Sequence, residues 1–96
     1  MFHSIDVSEV SNLVGAIIID IRNNYYYNMG HIDGAINIPY YNLLNNYKYY
    51  LNKYSIYYLY CDTGEQSLEI VKRLNSFGYS LININGGYEA YKKLKW

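Results

Sequence analysis

A chain with one cysteine cannot close a disulfide on itself, and Cys61 is the only cysteine among these 96 residues. A single unpaired thiol suits a reducing compartment. Met1-Phe2-His3-Ser4 lacks the basic stretch and apolar core of a secretory signal, so a cytoplasmic location is expected. Long apolar runs are also missing. The longest purely aliphatic one, Ala16-Ile17-Ile18-Ile19, falls far short of the roughly 18 residues a bilayer span requires, and no membrane segment is expected. Neither sign of charge is in excess: eight Lys+Arg balance eight Asp+Glu, which argues against nucleic acid as a partner. Lys92, Lys93 and Lys95 crowd the C-terminus and read as a solvated helix end facing the negative pole of a helix dipole. One cysteine and two histidines at no close spacing give no metal site, and no cofactor is expected. No Pro-, Gly- or Ser-rich linker, repeat or charge block divides the chain. Residues 1–96 therefore read as one small domain, burying roughly 60–65% of the surface its unfolded form would expose.

Tyrosine is abundant, with 15 copies, nine of them between Tyr40 and Tyr60. Bias toward AT-rich codons accounts for this excess together with Asn and Ile. A tyrosine face that stacks bases would lack the electrostatic attraction that nucleic-acid binding draws on. Buried tyrosines need partners for their hydroxyls, so many are expected to place the ring inside and the oxygen at the surface.

Short apolar runs alternate with amphipathic segments. Phe2 to Ile5 reads as a first strand, and Asp6-Val7-Ser8-Glu9 as a capping box opening a helix that ends near Gly15. Ala16 to Ile21 has no polar alternation, the habit of a strand buried on both faces of a parallel sheet. A turn of helix over Tyr25 to Met29 and a short strand over Ala35 to Ile38, stopped by Pro39, come next. One or two helices follow within Tyr40 to Leu51, then a strand from Ile56 to Tyr60. Beyond Ser67, Ile70, Val71, Leu74 and Phe77 recur at helical spacing, with Glu69 facing Lys72 and Arg73, and Gly78 is the stop. Leu81 to Ile84 is a last strand, Gly86-Gly87 a packing turn, and Tyr88 to Leu94 a closing helix; His3 reads as a strand residue. The alternation predicts an α/β domain with a mainly parallel sheet, whose ligands gather at the carboxyl ends of strands.

Cys61 stands at one of those ends, where a strand gives way to a helix N-terminus. Unpaired backbone N–H groups there stabilise an anion on sulfur, which makes the thiol a candidate nucleophile. Gly64 reads as the residue whose positive φ lets a tight loop converge on that sulfur, with Thr63 and Ser67 as further hydroxyl donors. Asp20 and Arg22, after a buried strand, read as an ion pair bracing the neighbouring loops in preference to a substrate-binding pair.

Three separated stretches, Ile19-Asp20-Ile21-Arg22, Gly30-His31-Ile32-Asp33-Gly34-Ala35-Ile36-Asn37-Ile38-Pro39 and Cys61-Asp62-Thr63-Gly64, resemble the signatures of the single-domain rhodanese-like sulfurtransferases. The ending Phe77-Gly78-Tyr79 and Asn85-Gly86-Gly87-Tyr88-Glu89-Ala90-Tyr91 is similar too, so the resemblance spans nearly the whole chain. It implies a central five-stranded sheet flanked by helices and a cysteine that accepts sulfane sulfur as a persulfide. The anion would be held by backbone N–H groups from Asp62, Thr63, Gly64, Glu65, Gln66 and Ser67. The resemblance makes Gly30, His31 and Gly34 part of a structural motif. The implied partners are a sulfane donor (thiosulfate, mercaptopyruvate or a persulfide) and a thiol, cyanide or protein acceptor.

Related phosphatase loops place an arginine after five intervening residues; here that position is Ser67, and Asp62 and Glu65 would repel a phosphate dianion. The family's thiosulfate users often carry a basic residue where this chain has Gln66. With Asp62 and Glu65 the loop's formal charge is −2, so thiosulfate is expected to be a poor donor. Two other readings remain: a non-enzymatic docking module that uses the tyrosine-rich surface, and a redox sensor oxidised reversibly at Cys61.

Overall fold

The computed structural model describes residues 3–94. Five short strands, β1 (Ser4–Asp6), β2 (Ile17–Asp20), β3 (Ile36–Asn37), β4 (Ile56–Tyr60) and β5 (Ser80–Asn85), form one sheet in the order β1-β5-β4-β2-β3, and every pairing is parallel. Parallel neighbours need crossover connections. These are a 3₁₀ segment (Val7–Asn12) and the helices α1 (Asn24–Met29), α2 (Tyr40–Tyr50) and α3 (Glu65–Asn75); α4 (Gly87–Lys92) closes the chain. The expected α/β fold with a five-stranded sheet is thus present.

The period-2 geometry of strands divides the core between two faces. On one, Ile19, Leu59 and Leu81 pack with Leu43 of α2 and Ile70, Val71 and Leu74 of α3. On the other, Ile18, Tyr60 and Ile84 pack with Val7, Val10 and Ile32. Both Ile18 and Ile19 are buried, which explains why the Ala16-to-Ile21 run shows no polar alternation.

Several boundaries differ from the sequence reading for local reasons. Asp6 does cap the segment after β1, accepting the Ser8 N–H at 2.9 Å. The Ser8 hydroxyl also occupies its carboxylate, and a 3₁₀ turn ends at Asn12 instead of an α-helix near Gly15. α3 begins at Glu65, earlier than Ser67, because Gly64 with φ 101° and ψ −10° already closes the loop. Phe77 lies past the end of α3, half exposed, stacked on Tyr47 at 5.9 Å. Glu69 accepts the Tyr40 hydroxyl at 3.0 Å in place of pairing with Lys72 or Arg73. α2 is kinked at Asn46 (φ −135°, ψ 30°). His3 precedes β1, its carbonyl accepting the Asn83 N–H at 2.6 Å. Phe2 and Lys95 lie outside the described residues.

The parallel arrangement sends the carboxyl ends of β2, β4 and β5 to one edge. There the ladder extends past the strands, with the Ile21 N–H donating to the Tyr60 carbonyl at 3.0 Å. Asp20, Cys61 and Asn85 meet at this edge.

Candidate active site

β4 delivers Cys61 to the sheet edge, where it is buried on the face covered by α2 and α3. Its Sγ receives the Gly64 N–H at 3.1 Å and the Ser67 N–H at 3.4 Å, and the Ser67 hydroxyl lies 3.4 Å away. Two amides of the expected set converge on sulfur; those of Asp62, Thr63, Glu65 and Gln66 make no bond to it. Loop geometry sets this choice. Gly64 adopts a left-handed φ of 101° that aims its N–H inward, a conformation glycine takes without a Cβ penalty. The first backbone bond of α3 is Leu68 N–H to the Gly64 carbonyl, so the Ser67 N–H belongs to the unpaired first turn and is free for sulfur. The Thr63 hydroxyl makes no bond with Sγ; the Ser67 hydroxyl is within reach.

Beneath the loop, α4 contributes its own unpaired donors. Tyr88 N–H donates to the Cys61 carbonyl and Glu89 N–H to the Asp62 carbonyl, each at 2.9 Å. The Gly86-Gly87 turn is therefore a packing turn under the Cys61 backbone.

Asp20 and Arg22 form the expected ion pair, with Arg22 Nη2 2.6 Å from Asp20 Oδ2 and Arg22 Nε 3.0 Å from Oδ1. Arg22 Nη2 also donates to the Gly30 carbonyl at 2.7 Å, which ties the end of α1 to β2. Burial opposes the guanidinium charge, but hydrogen bonding to Asp20 and the Asp20 charge outweigh it and raise the Arg22 pKa. The Tyr60 hydroxyl donates to Asp20 Oδ2 at 2.6 Å and accepts the Ile32 N–H at 3.0 Å. Desolvation, then the bond to Asp20, push the Tyr60 phenol well above its ordinary range. Tyr60 therefore departs from the expected pattern, since its hydroxyl is internal along with its ring. Arg22 lies 4.2 Å from the Tyr88 ring centroid and 3.8 Å from Asp62 Oδ1, linking this brace to the loop.

His31 stacks on Tyr27 with centroids 3.9 Å apart, and its Nδ1 lies 2.8 Å from the Tyr27 carbonyl; no bond joins it to Cys61. Gly30 leaves room for the Tyr88 hydroxyl, which a side chain there would overlap. Gly34 stands in the turn before β3 with φ 84°. Among the described residues no group of three or more His, Cys, Asp or Glu could hold a metal ion, and no helix is long and apolar enough to cross a membrane.

An open recess of about 390 Å³ adjoins Cys61, lined also by Asp62, Gln66, Arg22, Tyr26 and Tyr40. A second, of about 610 Å³, shares Arg22, Tyr26 and Asp62 with it and reaches Thr63. A third, of about 470 Å³ between Val10, Ile18, Ile32 and Tyr91, does not include Cys61. Glu65, exposed in the first turn of α3, lines none of the three. The sequence reading missed Asn83, buried under the loop, and the bridging role of Tyr60 and Tyr88. Asn83 did carry a signal: it is the one polar side chain inside the otherwise apolar run Leu81-Ile82-Asn83-Ile84.

A family profile described as "Rhodanese-like domain" matches residues 6–94. Among solved structures, a rhodanese-like domain protein from Staphylococcus aureus is 30% identical, covers 95% of this chain and 91% of its own, and superposes with a TM-score of 0.82. The human single-domain sulfurtransferase TSTD1, 21% identical, covers both chains fully with a TM-score of 0.80 and shares the fold. A curated relative, the tRNA uridine(34) hydroxylase of Buchnera aphidicola, is 28% identical over 94 residues, 90% of this chain. The chain spans 30% of that relative's length.

Proposed function

Because the chain belongs to the rhodanese-like domain family, we propose that it is a sulfurtransferase or persulfide carrier with Cys61 as nucleophile. The observation that carries this reading is the convergence of the Gly64 and Ser67 N–H groups on a sulfur that borders a recess. Donors fixed in a largely dry site stabilise an anion without reorganising, and they do so for thiolate and perthiolate alike. The Cys61 thiolate attacks the outer sulfur of a donor R–S–SH; the new S–S bond forms as R–S⁻ leaves, and Cys61 becomes Cys–S–SH. In the return half, a thiol or protein thiolate attacks that outer sulfur and Cys61 departs as thiolate. With no second cysteine in the chain, the sulfur passes between molecules.

The donor reading follows from charge. Asp62 is exposed in the loop and Glu65 in the first turn of α3, no Lys or Arg lies between Cys61 and Ser67, and the neighbouring cation, Arg22, is taken up by Asp20. A dianion such as thiosulfate meets this mouth unfavourably; mercaptopyruvate or a neutral persulfide does not meet the same repulsion. A free thiol of this kind belongs in the cytoplasm.

Intact-mass spectrometry after exposure to each donor class tests the reading. Gain of one sulfur atom by the wild type, absent in Cys61→Ser, is the expected result. Gain of oxygen with peroxide and no sulfur from any donor marks a redox sensor, and neither gain marks a docking module; both outcomes overturn sulfur transfer.

A further inference from the structure

The Ser67 hydroxyl has one proton and three acceptors in reach: Asn83 Oδ1, the Gly64 carbonyl at 3.3 Å and Cys61 Sγ at 3.4 Å. The contact with Asn83 is the shortest of the three, so in this arrangement the proton serves Asn83 and sulfur keeps only its two amide donors. The orientation of the Asn83 amide is fixed by its other end. Nδ2 donates to the Gly64 carbonyl at 3.1 Å and to Asn85 Oδ1 at 2.9 Å, two groups that only accept in these contacts, which leaves Oδ1 facing Ser67.

Asn83 and Ser67 are both essentially inaccessible, at 1% and 0% relative exposure. A buried amide in the centre of a strand is costly unless every polar atom is satisfied, and an aliphatic residue would fill the same place without that demand. Asn83 is satisfied only by the cysteine loop, by Asn85 and by backbone pairing, so its side chain is committed to the geometry above it.

We infer that Asn83 is a positioning residue that allots the Ser67 proton. When Cys61 is a neutral thiol, Asn83 Oδ1 holds the hydroxyl hydrogen. When sulfur becomes anionic, a charge-assisted bond is the stronger one, and the hydroxyl turns about its C–O bond to give Sγ a third donor. No heavy atom has to move, because Sγ and Oδ1 are both already within reach. At the same time Nδ2 anchors Gly64, the residue whose N–H makes the shorter amide bond to sulfur. The device rests on the sulfur-transfer reading for its purpose, but its chemistry is open to a separate probe.

That probe is the rate of Cys61 alkylation by neutral iodoacetamide across pH in the full chain. Ser67→Ala removes the third donor from the anion, and the pH of half-maximal rate moves up by roughly half to one unit, the worth of one hydrogen bond. Asn83→Leu removes the acceptor that favours the neutral state, and the half-maximal pH moves down. In the double variant the downward Asn83→Leu shift is lost, because there is no hydroxyl left to allot and only the loosened Nδ2 anchor on Gly64 remains. A shift in the same direction for both single variants, or an Asn83→Leu shift that persists undiminished in the Ser67→Ala background, overturns the inference. If Asn83→Leu fails to fold, Asn83→Ala is read by the same criteria. Sulfur uptake from a neutral persulfide is followed in parallel: its absence in the wild type counts against sulfur transfer, whereas the alkylation shifts bear on Asn83.

Discussion

Gly87 lies directly beneath the carbonyl of Cys61, so close that a Cβ added to it would stand inside 3.0 Å of both the Cys61 and the Asp62 oxygens. Those two oxygens accept the N–H groups of Tyr88 and Glu89 from the first turn of α4. A helix N-terminus has donors without intrahelical partners, and here they are spent on the chain that carries the nucleophile. Closure of this kind requires glycine twice over, since Gly87 also adopts φ 57°.

Gly87→Ala is therefore expected to cost at least about 1–3 kcal/mol from the left-handed conformation alone. The clash is with backbone and cannot be relieved by a rotamer change, so the loop must move. Urea denaturation and Cys61 alkylation should both report it, with a lower midpoint and altered reactivity. An unchanged midpoint would show that the α4 turn is not held against the loop.

Burial separates two ion pairs of similar appearance. Asp20→Ala leaves Arg22, 6% exposed, without its carboxylate and is expected to cost about 3–5 kcal/mol. Glu89→Gln breaks the pair with Lys92, 3.3 Å apart on half-exposed side chains, and is expected to change stability by less than about 0.5 kcal/mol. The ratio of the two effects in one denaturation series is the check. Comparable losses would mean that Arg22 finds water or another partner once Asp20 is gone.

What the sequence made legible, and what it hid, divides along sequence separation. Strand β4, the cysteine at its end, Gly64 and the apolar stripe of α3 are local patterns of period, breaker and cap, and they read directly. The packing turn at Gly86-Gly87 could be anticipated, but the particular oxygens it approaches could not, because Cys61 is remote from it along the chain. The partners of Tyr60 were hidden for the same reason. Its hydroxyl finds Asp20 and Ile32 only after β2 and β4 pair, and nothing near Tyr60 in sequence announces an internal partner. The expected cradle of many amides is two, those of Gly64 and Ser67, because which amides of a loop converge on one atom depends on its φ and ψ angles, and residue types announce these only at Gly64.

Tyr60 gives a pH dependence whose sign follows from its raised pKa. Folding favours the protonated phenol, so the unfolded chain loses this proton more readily. The contribution is fully present below the ordinary value of 10.0 and is lost as pH rises above it toward the folded pKa. The loss amounts to as much as about 1.4 kcal/mol per pH unit. Tyr60→Phe removes the titration and also leaves the Ile32 N–H unpaired, at a cost of about 1–3 kcal/mol at neutral pH. Urea midpoints measured on both sides of pH 10.0 should fall more steeply for the wild type than for Tyr60→Phe. Parallel curves would assign the alkaline loss to other groups.

Charge at the mouth of the recess is the feature most open to engineering. Gln66 lines the recess with Cys61, and the loop around it carries Asp62 and Glu65 with no cation of its own. Gln66→Arg places a positive charge there, where a partly exposed pair is worth about 1 kcal/mol per unit charge. For a dianion the expected gain in thiosulfate kcat/KM is roughly five- to thirtyfold, expressed mainly in KM because attraction acts on binding before chemistry. A neutral persulfide should respond little. The gain should also shrink in about 1 M salt, where the screening length falls to about 3 Å, since Gln66 is exposed. Equal gains for thiosulfate and a neutral donor would mean that the arginine acts by reshaping the loop, and an absent gain would mean that something other than charge keeps thiosulfate from the sulfur.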